Sequence, residues 1–301
     1  MLKLPFAVCI LSIACECLFP SLTDYLASVP FLISALFLGI PHGALDWADA
    51  RDSAGNPTTS MMISYLTWMF ATGATLFYAP HIGLLSFFAL SIWHFGRDRH
   101  RYLGVKPSPI FTIGRGIVVV AAPFIFAPAE TTSFVGLTST LVQSPKATTW
   151  SLSGGRLMLG FVYGAGVVVE IAWWFRCWRN NQTGVAIFCA TETIVLTLAA
   201  AALNPVFYVG LYFLFVHSWA ALAHRLKTTD WRNAVKTAFG LHRDDGPLAW
   251  LSWLLIGSVG LGVRAGSDLL MWAAIVVLFY AVVTPAHLWL SWVRSNDTSA
   301  P

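Results

Sequence analysis

Ten apolar runs, each about the 20 residues needed to cross roughly 30 Å of hydrocarbon, succeed one another along this chain of 301 residues. They lie near residues 4–20, 29–47, 61–79, 82–96, 109–128, 156–175, 184–203, 205–224, 247–264 and 267–292. The fourth is short, and the seventh and eighth nearly fuse at Asn204-Pro205. The pattern therefore predicts an all-α, polytopic membrane helix bundle with 8–10 transmembrane helices, residues 1–301 forming a single integral membrane domain. The run at 4–20 follows Lys3 and is read as an uncleaved first span rather than a signal peptide. Composition agrees, since only 11% of residues are charged and 57% are hydrophobic, with a mean hydropathy of +0.68. A soluble domain carries about 25% charged residues, so most of this surface must face lipid. Cys9, Cys15, Cys17, Cys177 and Cys189 form no CxxC pair and read as small buried hydrophobes rather than a disulfide framework or zinc site. No internal repeat, glycine-rich phosphate loop or nucleic-acid motif is present.

The basic residues give the spans a direction. With ten alternating spans, one side holds Lys3, Arg51, Arg97, Arg99, Arg101, Lys106, Arg176, Arg179, Arg225, Lys227, Arg232, Lys236, Arg243 and Arg294, fourteen of the 18 Lys and Arg. Lys146, Arg156 and Arg264 fall on the other side, and Arg115 lies inside the fifth run. The bias predicts a multi-pass protein of the inner (plasma) membrane with both termini in the cytoplasm. Basic cytoplasmic loops are expected near 97–108 and 225–246, and a Ser- and Thr-rich periplasmic loop near 129–155.

Ionisable groups within spans are costly and mark candidate functional sites. Four histidines qualify: His42, His94, His217 and His287, from four different runs. Each lies in the cytoplasmic third of its span, shortly before Arg51, Arg97, Arg225 and Arg294 respectively. A shared depth is what a single metal site requires. Imidazole binds iron, copper, zinc or nickel while neutral, so several can gather in a low-dielectric bundle without repulsion. A ligating ring also needs an acceptor to fix its tautomer. Asp46 and Asp98 follow His42 and His94 by four residues, one turn along the same helix face, where each carboxylate orients the ring or serves as a ligand itself. Pro41 and Gly43 loosen the helix around His42. His224, two turns after His217, is an alternative ligand, whereas His81, His100 and His242 read as solvated. Glu16, Glu170 and Glu192 are intramembrane acids, read as hydrogen-bonded packing groups that would otherwise line a cavity. Trp93, Phe95 and Trp219, beside the histidines, are candidate walls for an apolar pocket.

At this point the motifs carry a resemblance. Gly39-Ile40-Pro41-His42-Gly43-Ala44-Leu45-Asp46 and His94-Phe95-Gly96-Arg97-Asp98 resemble the two most recognisable motifs of the Brp/Blh family of membrane β-carotene 15,15′-dioxygenases. Tyr212-Phe213-Leu214-Phe215-Val216-His217-Ser218 resembles that family's third histidine segment, and Thr284-Pro285-Ala286-His287 its C-terminal proline-histidine motif. The resemblance implies a multi-spanning enzyme that uses Fe(II) and O2 to split the central double bond of β-carotene, an apolar polyene taken from the lipid bilayer. It implies His42, His94 and His217 as iron ligands. One position departs: the family's second histidine of the third motif, usually preceded by arginine, is here Ala221 after Ala220. A four-histidine site then needs His287 or His224.

Other classes weigh less. A transporter would show paired broken helices in repeated halves. A retinal Schiff base needs an intramembrane lysine, but Lys3, Lys106, Lys146, Lys227 and Lys236 all lie outside the runs. A haem- or metal-binding membrane protein without enzymatic activity, and a membrane oxidase acting on another isoprenoid lipid, remain the alternatives.

Overall fold

A computed structural model describes residues 3–36, 59–104, 108–142, 156–219, 246–262, 266 and 268–297. The described residues form helices α1 (Lys3–Leu18), α2 (Leu22–Tyr25), α3 (Val29–Ser34), α4 (Thr59–Tyr78), α5 (Pro80–Tyr102), α6 (Pro109–Phe126), α7 (Pro128–Thr140), α8 (Arg156–Arg179), α9 (Thr183–Ala202), α10 (Pro205–Leu211), α11 (Gly246–Gly262) and α12 (Leu269–Asp297), with no strand among them. A π-helical segment, Tyr212–Ser218, continues α10. The chain is a polytopic helical membrane bundle. Pro109–Phe126, Leu157–Arg179, Thr183–Ala202 and Leu269–Leu290 are each long and apolar enough to cross a membrane by length and composition, and Pro5–Leu18 and Pro205–Ser218 are shorter apolar helices.

Each predicted run holds helix, and the boundaries have local causes. Proline opens α6, α7 and α10 in the first turn, where its missing N–H leaves no hydrogen bond unmade. Asn204 divides the two runs that nearly fuse. Its side-chain oxygen accepts from the Val206 amide at 2.9 Å, an N-cap, while its amide side chain donates to Asp24 at 2.9 Å. The short fourth run is a 23-residue helix because α5 continues through Arg97, Asp98 and Arg99 instead of ending at the apolar boundary. Its stop is Gly104, whose φ of 65° suits a residue without Cβ after a helix C-terminus.

Two expectations are revised. Within the segment read as a loop near 129–155, residues 128–140 form α7, whose Thr131, Val135, Thr138 and Ser139 are buried. Arg99, read as a cytoplasmic-loop residue, is only 6% exposed. Of the five cysteines read as buried, Cys9, Cys177 and Cys189 are buried, whereas Cys15 is half-buried and Cys17 exposed.

The central helix of the fold is α6. Against α5, Gly96 and Gly116 bring the two backbones together: a Cβ on Gly96 would overlap the Thr112 carbonyl, and one on Gly116 the Ile92 carbonyl. Small residues permit such close helix contact in lipid, where no hydrophobic force draws helices together. Gly96 lies between His94 and Asp98, so this contact fixes the part of α5 that carries them. Gly96→Ala is expected to cost about 1–3 kcal/mol through overpacking. The check is the thermal midpoint of the detergent-solubilised protein, which should fall well below that of an exposed control such as Gly164→Ala.

Candidate metal centre and apolar cavity

His94 occupies the last third of α5, with its Nδ1 3.5 Å from a carboxylate oxygen of Asp98 one turn on. His217 arrives from the π-helical segment, its ring centroid 4.9 Å from that of His94. His287 arrives from α12, 5.0 Å from His94 and edge-on to it. Ligand atoms of His94, Asp98 and His217 all lie within 4.8 Å of one another. The two histidines of this group are 8% and 6% exposed. Three of the four predicted histidines are thus brought together from three helices. His287 sits against His94 rather than within the His94–Asp98–His217 group. His42, Asp46 and His224 lie outside the described residues.

The π-helical turn explains how one segment presents several groups to the same place. In an α-helix, residues five apart point about 140° away from each other. The i→i+5 bonding of a π-helix, often found at functional sites, brings them closer to one side. Phe95 accordingly meets Tyr212 at 5.2 Å, Phe213 at 5.4 Å and His217 at 5.0 Å. The sequence Tyr-Phe-Leu-Phe-Val-His-Ser gives no sign of this turn, because it arises from the tertiary contacts.

An apolar cavity of about 100 Å³ shares Phe95 and Phe213 with the surroundings of His217. Along α5 it is lined by Leu84, Phe87, Phe88, Ser91 and Phe95, one helix face extending about 16 Å. The wall opposite comes from Tyr212, Phe213 and Tyr280, with Phe213 stacked on Tyr280 at 5.6 Å. Phe95 and Phe213 join cavity and histidines, since both also pack against His217. The hydroxyl groups of the α7 wall are turned to local carbonyls: Thr131 donates to Ala127 and Pro123, and Thr138 to Phe134. The lining therefore favours hydrocarbon. Sequence reasoning found Phe95, whereas Trp93 is 38% exposed and Trp219, though buried, is not in the lining. It missed the α7 wall, although Thr131, Val135 and Thr138 repeat at helical spacing.

Two imidazoles and a carboxylate at this spacing could hold a divalent transition metal ion. Residues 33–293 match the family described as beta-carotene 15,15′-dioxygenase. The chain belongs to that family, one of carotenoid-cleaving enzymes. Among its relatives, the probable beta-carotene 15,15′-dioxygenase Brp of Halobacterium salinarum is 29% identical over 252 residues, covering 76% of this chain and 69% of the relative. The probable enzyme Blh of the same organism is 28% identical over 222 residues, covering 66% and 61%. The beta-carotene 15,15′-dioxygenase of an uncultured marine bacterium is 26% identical over 209 residues, covering 64% and 70%. No solved structure matches the chain.

The geometry makes the cavity testable apart from any chemistry. Ser91, 4% exposed, lines it one turn before His94. Ser91→Phe should fill that space and weaken binding of a fluorescent polyene at least tenfold in a tryptophan-quenching titration, with the folded yield retained. Unchanged affinity would mean that polyenes bind elsewhere.

Proposed function

We propose that this protein cleaves a carotenoid, β-carotene or a near relative, at its central double bond inside the membrane, using Fe(II) and O2. The observation that carries this reading is the meeting of the His94–Asp98–His217 group with an apolar cavity through Phe95 and Phe213. A metal group buried beside hydrocarbon-lined space suits a substrate that dissolves in lipid and offers no polar handle.

His94 and His217 would hold the iron, with Asp98 either orienting His94 or completing the ligand set. His42 joins them on the family resemblance. His287, packed on His94, would stand in for the histidine replaced at Ala221, with His224, outside the described residues, as the alternative. Bound iron supplies the means to activate dioxygen, for which two-histidine, one-carboxylate sites with open positions are suited. The remaining work belongs to the protein. Neutral imidazoles allow several ligands to crowd together at low dielectric. Where Asp98 is not itself a ligand, its carboxylate, 3.5 Å from Nδ1 of His94, would fix the tautomer of that ring. The aromatic walls align one double bond of the polyene beside the ligands and exclude water. The overall change balances without a reductant: the C=C bond breaks, and each carbon receives one atom of O2, giving two aldehydes. Both termini are assigned to the cytoplasmic side of the plasma membrane, on the bias of Lys and Arg.

Expression in a β-carotene-producing host lacking other cleavage enzymes is expected to bleach the orange cells and yield retinal. Persistent β-carotene despite well-expressed, iron-loaded protein would sink the reading. Purified protein should show no Soret band, which separates it from a haem-binding alternative. His42→Ala, His94→Ala and His217→Ala should each lose stoichiometric iron by elemental analysis, and retention in all three would refute the ligand assignment.

A further inference from the structure

Beyond the histidines, four charged side chains lie buried where four helices meet, and the chemistry above makes no use of them. Arg99 of α5, Arg115 of α6, Glu170 of α8 and Glu192 of α9 are 6%, 3%, 3% and 2% exposed. One carboxylate oxygen of Glu192 lies 2.7 Å from Nε of Arg99 and 2.6 Å from a terminal nitrogen of Arg115. The other terminal nitrogen of Arg115 donates to the Thr193 hydroxyl at 2.9 Å, and that hydroxyl donates to Glu170 at 3.2 Å. The Arg99 guanidinium also rests on the Phe188 ring of α9, 4.4 Å from its centroid. Two positive and two negative charges balance. Isolated from water, each depends on the others.

The position of Arg99 gives this network its meaning. It follows Asp98 directly, about 100° around the same helix, and it lies one turn beyond Phe95. With Arg99 held by Glu192, α5 cannot rotate without either breaking a buried ion pair or carrying Arg99 into lipid. The same rotation would swing His94 and Asp98 away from His217. Phe95, one turn before Arg99, packs on His217 and on Tyr212, so the same stretch of α5 touches the histidine cluster and leads into the ion network.

We propose that Arg99 and Glu192, braced by Arg115, are positioning residues that set the rotation of α5 and thereby the placement of the His94 and Asp98 metal donors. This rests on the reading of those two residues as donors, and it assigns the buried network a role in the site's geometry beyond holding the bundle together.

The test uses purified full-length protein with Co(II) as the probe, because the visible bands of cobalt report ligand geometry. Arg99→Met combined with Glu192→Gln removes one charge of each sign. It leaves Arg115 paired with Glu170, so the bundle stays charge-balanced. The thermal midpoint of the apo protein should stay near that of the wild type, while the cobalt bands shift and cobalt affinity falls about tenfold or more. Glu192→Asp keeps the charge but draws the carboxylate back by one methylene, and should shift the bands by a smaller amount. Arg99→Lys, able to keep one contact to Glu192, should restore part of the wild-type spectrum. Wild-type bands and affinity in both the double variant and Glu192→Asp would overturn the proposal while leaving the metal site intact. Should the double variant fail to fold, Glu192→Asp alone decides between these outcomes. If wild type and His94→Ala bind cobalt equally, the donor assignment fails, and the positioning role fails with it.

Discussion

The ion pairs of Glu192 with Arg99 and Arg115, at 2.7 and 2.6 Å, form in a place where water cannot share the burden of solvation, and the arrangement of α5, α6, α8 and α9 follows from that. Removing one partner of a buried pair typically costs about 3–5 kcal/mol, because a bare charge is left behind, whereas exchanging a whole pair for well-packed apolar groups is often neutral. Such a network therefore adds little net stability. Its effect is to penalise wrong arrangements: every helix register that separates Glu192 from its arginines strands a charge in hydrocarbon. The glycine contacts between α5 and α6 act in the same direction by a different force, since Gly96 and Gly116 admit only one close approach of the two backbones.

These two constraints converge on one short stretch of α5. Residues 94–99 carry His94 and Asp98 toward His217, Phe95 toward the aromatic cluster, Gly96 against α6 and Arg99 into the ion network. Successive side chains of a helix diverge by about 100°, so six residues suffice to address every neighbour. A group whose ligand atoms lie within 4.8 Å of one another tolerates little rotation of any one helix, and this stretch is held through Phe95, Gly96 and Arg99. His217 reaches the same place by the opposite device. Its segment departs from α-helical geometry, and the π turn gathers Tyr212, Phe213 and His217 around Phe95.

Much of this was legible in the sequence, for reasons that can be named. Membrane thickness sets the length of each run, so every run gave a helix. The basic residues put the four histidines at one depth, and the ring of His94 meets those of His217 and His287, while His42 lies outside the described residues. Arg99 was not legible, because in the chain it sits among Arg97, Arg101 and Lys106 and looks like part of a solvated basic loop. Only the approach of α9, some 90 residues later, supplies Glu192. Glu170 and Glu192 were read as protonated or hydrogen-bonded packing groups, and the structure adds the arginines that face them. The α7 helix was hidden by its threonines, which favour neither helix nor lipid; its hydroxyls become tolerable only by bonding to carbonyls of their own and the preceding helix.

The separation of polar from apolar within one bundle is the deeper consequence. Phe95 and Tyr212 line the apolar cavity, while Arg99, one turn beyond Phe95 on the same helix, pairs with Glu192 in the charged network. On one side lies space suited to hydrocarbon; on the other lie four formal charges. Charges facing the cavity would draw water into a lining suited to hydrocarbon. Neutral imidazoles can border the apolar side where arginine or glutamate could not. His94 and His217 pack on Phe95, which also lines the cavity, and an uncharged imidazole is tolerated at that border where a formal charge would not be.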